Sequence, residues 1–139
     1  MSKIIIASHS RLAEGFKDTL HYIAPNLSDV TAIAAYVDDK SLTDQIEEVL
    51  STFNENDQVI VFTDLLGGSV NQAFIRYLEN QNIHLISGMN LPVLLSIALQ
   101  LNVGEMSAEQ IEAAINEAQS QIVYVNKLLS EQQLDEDDE

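Results

Sequence analysis

His9 follows the apolar run Ile4-Ile5-Ile6-Ala7 and precedes a stretch of helical character, RLAEGFKDTLHYIA (11–24). An imidazole between a strand and a helix stands where open α/β folds gather reactive groups, not inside an element where it would only fill space. A second apolar run, QVIVFT (58–63), leads into Asp64. A carboxylate that accepts a hydrogen bond from one ring nitrogen fixes the tautomer and leaves the lone pair of the other nitrogen free to attack. It also stabilises the cationic ring that such an attack creates. Asp64 is followed by Leu-Leu-Gly-Gly-Ser. Gly67 and Gly68 can take backbone conformations closed to other residues, so with the start of the next helix they can aim N–H groups at an anion. Ser69 adds a hydroxyl there, and Ser10 adds one beside the histidine. A nucleophilic imidazole (His9), an orienting carboxylate (Asp64) and an anion cradle (Ser10, Gly67, Gly68, Ser69) belong together where the imidazole carries a phosphoryl group. The plainer alternative is a polar pair at two strand ends with a glycine turn beside it.

The remaining polar residues offer less. His21 lies in mid-helix among Lys17 and Asp18, and His84 lies inside a strand pattern. The three histidines have no spacing suited to a shared metal, and no metal or cofactor is implied. Arg11 is placed either to reach a phosphate or to form a surface ion pair. Ser8 and Ser10 flank His9, but no G-x-S-x-G elbow is present, which argues against serine hydrolysis. The sequence holds neither GxxxxGK[ST] nor GxGxxG, which weakens a nucleotide-binding reading.

The elements that must position these groups alternate along the chain. KIIIAS (3–8), VTAIAAY (30–36), QVIVFT (58–63) and IHLIS (83–87) read as four strands. Between and after them come helical patterns: 11–24, 41–53 with Ser41 as N-cap, and 68–81. A fourth opens at Asn90 with Pro92 in its first turn, and a fifth at Ser107 with Gln110 completing a capping box. IVYV (122–125) is a β-branched run and a candidate last strand. The first and third strands are continuously apolar, as strands covered by helices on both faces must be. The pattern predicts an α/β fold: an open, doubly wound, mainly parallel sheet flanked by helices. If strands 1 and 3 are neighbours, His9 and Asp64 emerge side by side at the carboxyl edge.

A chain of 139 residues with 46% hydrophobic residues can build one ordinary core. It has no cysteine, which excludes disulfides and thiolate chemistry. No signal-peptide or membrane-spanning pattern opens the sequence, so a cytoplasmic location is expected. The formal net charge is −16, from 22 acidic and 6 basic residues. Such a surface repels nucleic acid and anionic membranes and suits a protein partner with a basic docking face. Six acidic residues fall within the last nine, EQQLDEDDE. The expectation is a folded unit over 1–128 and a solvated, disordered acidic tail over 129–139.

Taken together, SHSRLAEG (8–15), FTDLLGGSVNQ (62–72) and SGMNLPVLL (87–95) resemble the IIA domain of the mannose–fructose–sorbose class of sugar phosphotransferase systems. The resemblance extends from the first strand to about residue 125. It implies a phosphohistidine relay in which the phosphocarrier HPr donates to His9 and His9 passes the group to a IIB protein. Sugar itself enters through membrane IIC and IID subunits, with which this protein would associate only peripherally. In the resemblance Asp64 matches the carboxylate that supports the active histidine, and Gly67, Gly68 and Ser69 match the phosphate-side loop. The resemblance also implies a homodimer that exchanges a C-terminal strand, for which 122–125 is the candidate. The chain stops after its tail, which predicts that IIB is a separate protein. The sequence departs from the family's usual pattern with Ser8 in place of Gly, Val70 in place of Pro and Gln72 in place of Asn. Two other readings remain: a phosphotransfer subunit serving dihydroxyacetone kinase, and a non-catalytic regulatory module of flavodoxin-like shape.

Overall fold

The computed structural model describes residues 1–27 and 29–137, with side chains characterised through residue 133. Strand β1 (Ser2–His9) is followed by helix α1 (Leu12–Ile23), β2 (Val30–Ala35), α2 (Leu42–Ser51) and β3 (Gln58–Thr63). Then come α3 (Ser69–Ile75), a 3₁₀ turn over Arg76–Glu79, β4 (Ile83–Ile86), α4 (Leu91–Leu101), α5 (Ala108–Gln119) and α6 (Val125–Asp137). The four strands form one parallel sheet in the order β2-β1-β3-β4. From β1 the chain first steps to β2, then crosses back past β1 to β3. The direction therefore reverses between β1 and β3, where the carboxyl ends of the strands open a crevice.

Side chains alternate across a strand, so a strand buried on both faces must be apolar at every position. Ile4 and Ile6 of β1 pack with Ile60 and Phe62 of β3 against α1, α4 and α5, through Leu20, Leu94, Ile97 and Ala114. Ile5 and Ala7 face the other way, with Val59 and Val61, onto Ile46 of α2 and Val70 and Phe74 of α3. All six residues of β3 are buried. Burying each such aliphatic side chain contributes about 1.5–3 kcal/mol, which holds the two central strands rigidly beneath whatever their ends carry.

The caps read in the sequence are in place. Ser41 Oγ accepts from the Asp44 N–H, Asn90 Oδ1 accepts from the Val93 N–H, and Ser107 and Gln110 form a reciprocal capping box. Helix α1 is capped differently. The buried hydroxyl of Ser8, the next-to-last residue of β1, accepts from the Ala13 N–H at 2.7 Å and donates to the Ser10 carbonyl at 3.2 Å. A glycine at position 8 would supply neither bond, so Ser8 fastens the start of α1 to the strand end that carries His9.

Two segments differ from expectation. Ile122–Tyr124 are irregular and Val125 begins α6, so 122–125 forms no strand in the single chain. β-propensity expresses itself only where a neighbouring strand supplies partners, and among the described residues none pairs with 122–125. Of the stretch 129–139 expected to be a disordered tail, residues 129–137 belong to α6, and 138–139 lie outside the described residues. Among the described residues no helix is long and apolar enough to cross a membrane.

Candidate functional site

The carboxyl ends of β1 and β3 bring His9 and Asp64 together across the point where strand order reverses. One carboxylate oxygen, Asp64 Oδ2, accepts twice from the same residue: from the His9 backbone N–H at 2.8 Å and from its ring at Nδ1, 2.9 Å away. Because a carboxylate only accepts, Nδ1 must carry the proton, and Nε2 of the neutral ring is left with a lone pair. The other oxygen, Oδ1, accepts from the Leu65 N–H at 2.9 Å. Burial of Asp64 favours its neutral acid, but the hydrogen bonds from the His9 backbone and ring and from Leu65 outweigh it. The carboxyl is held below the usual carboxylate range. The His9 side chain is 38% exposed and that of Asp64 10%. The acid is sheltered while the ring's free edge meets solvent.

That free edge faces Ser69. Its Oγ lies 3.4 Å from His9 Nε2 and 2.6 Å from the hydroxyl of Tyr36, the residue after β2. The rings of Tyr36 and His9 are 5.7 Å apart between centroids, at 45°. Tyr36 did not emerge from the sequence, where it reads as the last residue of strand 2. The strand in fact ends at Ala35, and Tyr36 turns out of it with φ of +67°.

The loop after Asp64 acts less through its glycine N–H groups than the sequence suggests. The Gly67 N–H donates to Asn71 Oδ1 and the Gly68 N–H to the Leu65 carbonyl, so both are engaged within the loop. Gly67 sits at φ +74°, a conformation that suits glycine. At Gly68 the requirement is space: a Cβ there would meet Leu65 Cβ and O at 3.2 Å and His9 Cε1 at 3.4 Å. The donor left facing Nε2 is the Ser69 hydroxyl, at the first residue of α3. Asn71 anchors the loop from below, donating through Nδ2 to Thr63 Oγ1 at 3.0 Å. Ser10 also lies at φ +56°, with its N–H bonded to the Ala35 carbonyl. Among the described residues no hydrogen bond joins its hydroxyl to the His9 ring.

The other candidates fall outside this cluster. His21 is exposed on α1 and His84 half-buried inside β4. Arg11 forms the surface pair, with Glu14 at 3.4 Å. Five of the six Lys and Arg side chains are matched to carboxylates in this way: Lys3 with Asp29, Arg11 with Glu14, Lys40 with Glu48, Arg76 with Glu47 and Lys127 with Glu131. No group of three or more His, Asp or Glu side chains among the described residues converges to hold a metal. What the arrangement can do is present a neutral imidazole, with its tautomer fixed and its cation stabilised, to an electrophile beside a hydroxyl donor.

Residues 3–119 match a family model described as the fructose IIA component of the sugar phosphotransferase system (PTS). No curated protein matches the chain by sequence. Among solved structures, the chain is similar to a protein of Klebsiella pneumoniae subsp. pneumoniae MGH 78578 described as a phosphoenolpyruvate-dependent sugar PTS permease. That likeness has 32% identity and a TM-score of 0.85, covering 92% of this chain and 93% of the other. It is also similar to the PTS component EIIA of Streptococcus agalactiae, at 25% identity and a TM-score of 0.77, over 91% and 99% of the two chains. A mannose/sorbose-specific IIA subunit from Enterococcus faecalis, at 20% identity and a TM-score of 0.73 over 88% and 92%, shares the fold.

Proposed function

The chain belongs to the PTS fructose IIA component family, and on that premise we propose that it is a phosphohistidine carrier whose reacting atom is His9 Nε2. The observation that carries this is the pair of hydrogen bonds from His9 to a single oxygen of Asp64, which leaves Nε2 as the unprotonated nitrogen at a partly exposed edge. In the forward step the Nε2 lone pair bonds to phosphorus as the donor's N–P bond breaks, and the donor recovers its own lone pair. The positive charge that appears on the His9 ring is offset by Asp64. The Ser69 hydroxyl, 3.4 Å from Nε2, is placed to donate to a phosphoryl oxygen. Transfer onward reverses these events, and the sequence needs no net proton. Catalysis of this kind rests on positioning and charge, not on further covalent chemistry.

The donor in this reading is HPr and the acceptor a IIB protein, with the membrane IIC and IID subunits reached only through IIB. The loop between Asp64 and Gly67 exposes Leu65 (60%) and Leu66 (87%) beside the site, apolar contacts that a docking protein can cover. A net charge of −16 favours basic faces on both partners and makes association fast and sensitive to salt. The protein is expected to work in the cytoplasm and as a homodimer.

Incubation with phosphoenolpyruvate, enzyme I and HPr, followed by mass spectrometry and nitrogen-15 NMR, tests the reading. The expected result is one acid-labile phosphoryl group on Nε2 of His9, passed on to IIB and transferred more slowly as salt rises. His9→Ala should abolish labelling while leaving the protein folded, because a rim residue carries little packing. An unlabelled wild-type protein would favour a regulatory module instead. Delivery to dihydroxyacetone kinase but not to IIB would favour the other phosphotransfer reading.

A further inference from the structure

The hydroxyl of Tyr36 lies 2.6 Å from Ser69 Oγ, far from it in sequence and brought there by the ends of β2 and α3. Holding it there has a cost. An aromatic residue at φ +67° is an outlier, and such backbone conformations are strained. Ser10, at φ +56°, donates its N–H to Ala35 at 2.8 Å and so ties the exit of β1 to the residue just before Tyr36. The two strained turns flank the His9 ring and brace each other. Tyr36 nevertheless stays 60% exposed, so its position is not explained by packing.

The hydrogens can be assigned in order. Nδ1 donates to Asp64, so Nε2 of the neutral ring accepts. Ser69 can meet that lone pair only by turning its single hydrogen toward Nε2. Its bond to Tyr36 then has only one possible direction, with the tyrosine donating to the serine. We propose that Tyr36 is a positioning residue for phosphoryl transfer, acting through Ser69. By donating to Ser69 Oγ it commits that hydroxyl's hydrogen to Nε2 and, once the N–P bond has formed, to a phosphoryl oxygen. This rests on the carrier reading given above. Without Tyr36 the Ser69 hydroxyl rotates among several orientations, and only a fraction of encounters finds it aimed at the reacting atom.

The test is a double-mutant cycle on the intact protein with phospho-HPr as donor. Tyr36→Phe keeps the ring and removes only the hydroxyl. Its transfer rate to His9 should fall about tenfold, the effect of one well-placed hydrogen bond, with an unchanged thermal midpoint. Ser69→Ala should fall at least as far, and adding Tyr36→Phe to it should cause no further loss, since residues that act through one contact are not additive. The nitrogen-15 shift of His9 Nε2 in the unphosphorylated protein should move in Tyr36→Phe, a change that a merely structural role would not produce. A wild-type rate in Tyr36→Phe, an undiminished loss in the Ser69→Ala background, or an unmoved Nε2 resonance would each overturn the proposal. A wild-type protein that HPr cannot label would overturn the carrier reading, and this one with it, whereas a labelled wild type with an unaffected Tyr36→Phe overturns this one alone.

Discussion

At the scale of single residues, Asp64 holds His9 by two handles, the backbone N–H and Nδ1, on one oxygen. The ring cannot turn to offer Nδ1 without breaking the shorter of the site's ring contacts. Asp64→Asn keeps a carbonyl oxygen in the same place but removes the charge that favours the cationic ring. Phosphoryl transfer should slow on the order of 10²-fold or more, measured by rapid quench, and an unchanged rate would make Asp64 structural only. The same contacts set an acid dependence. Asp64 is held below its ordinary value in the folded protein, so its contribution to stability is fully present above the unfolded pKa of about 4. That contribution is lost as pH falls through the folded value, and urea midpoints between pH 7 and 3 should fall less steeply for Asp64→Asn. His9 and Asp64 were legible in the sequence because strand ends were legible and parallel neighbours share an edge. Tyr36 was not, since a left-handed backbone at an aromatic residue and a contact between distant hydroxyls leave no local pattern.

At the scale of elements, the apolar continuity of β1 and β3 and the caps at Ser41, Asn90 and Ser107 announced the sheet and most helices. Where the sequence misled, tertiary surroundings decided. Helix α3 stops at Ile75 and tightens into a 3₁₀ turn, with Asn80 N–H donating to the Tyr77 carbonyl, although the helical pattern runs to residue 81. The Gly67-Gly68 pair announced an anion loop, yet its own N–H groups serve the loop, and what Gly68 supplies is room beside His9. Gly68→Ala is therefore expected to push the loop and ring apart, because Leu65 O is backbone and cannot yield cheaply at 3.2 Å. The expected outcome is a transfer rate reduced by an order of magnitude or more, since sub-ångström misplacement of reacting groups is costly. Wild-type transfer by Gly68→Ala would show that the loop adapts freely.

At the scale of the whole molecule, the stretch after α5 leaves Ile122 (79%) and Tyr124 (72%) exposed together with Val123 and Val125. β4 ends the sheet with only β3 beside it, and an unpaired edge invites another chain. A homodimer burying these residues is expected, and sedimentation at micromolar concentration should return twice the monomer mass of 15.4 kDa. A monomer there would refute strand exchange.

The pairing of five cations with neighbouring carboxylates has a consequence for how partners tell the two chemical states apart. A phosphoryl group adds about two negative charges to a molecule whose net charge is already −16. Seen from a Debye length away, the loaded and empty proteins look nearly the same, and both are drawn toward basic surfaces at similar speed. Discrimination must then occur after collision, in how long each complex survives, and only the few ångströms around Nε2 differ enough to decide it.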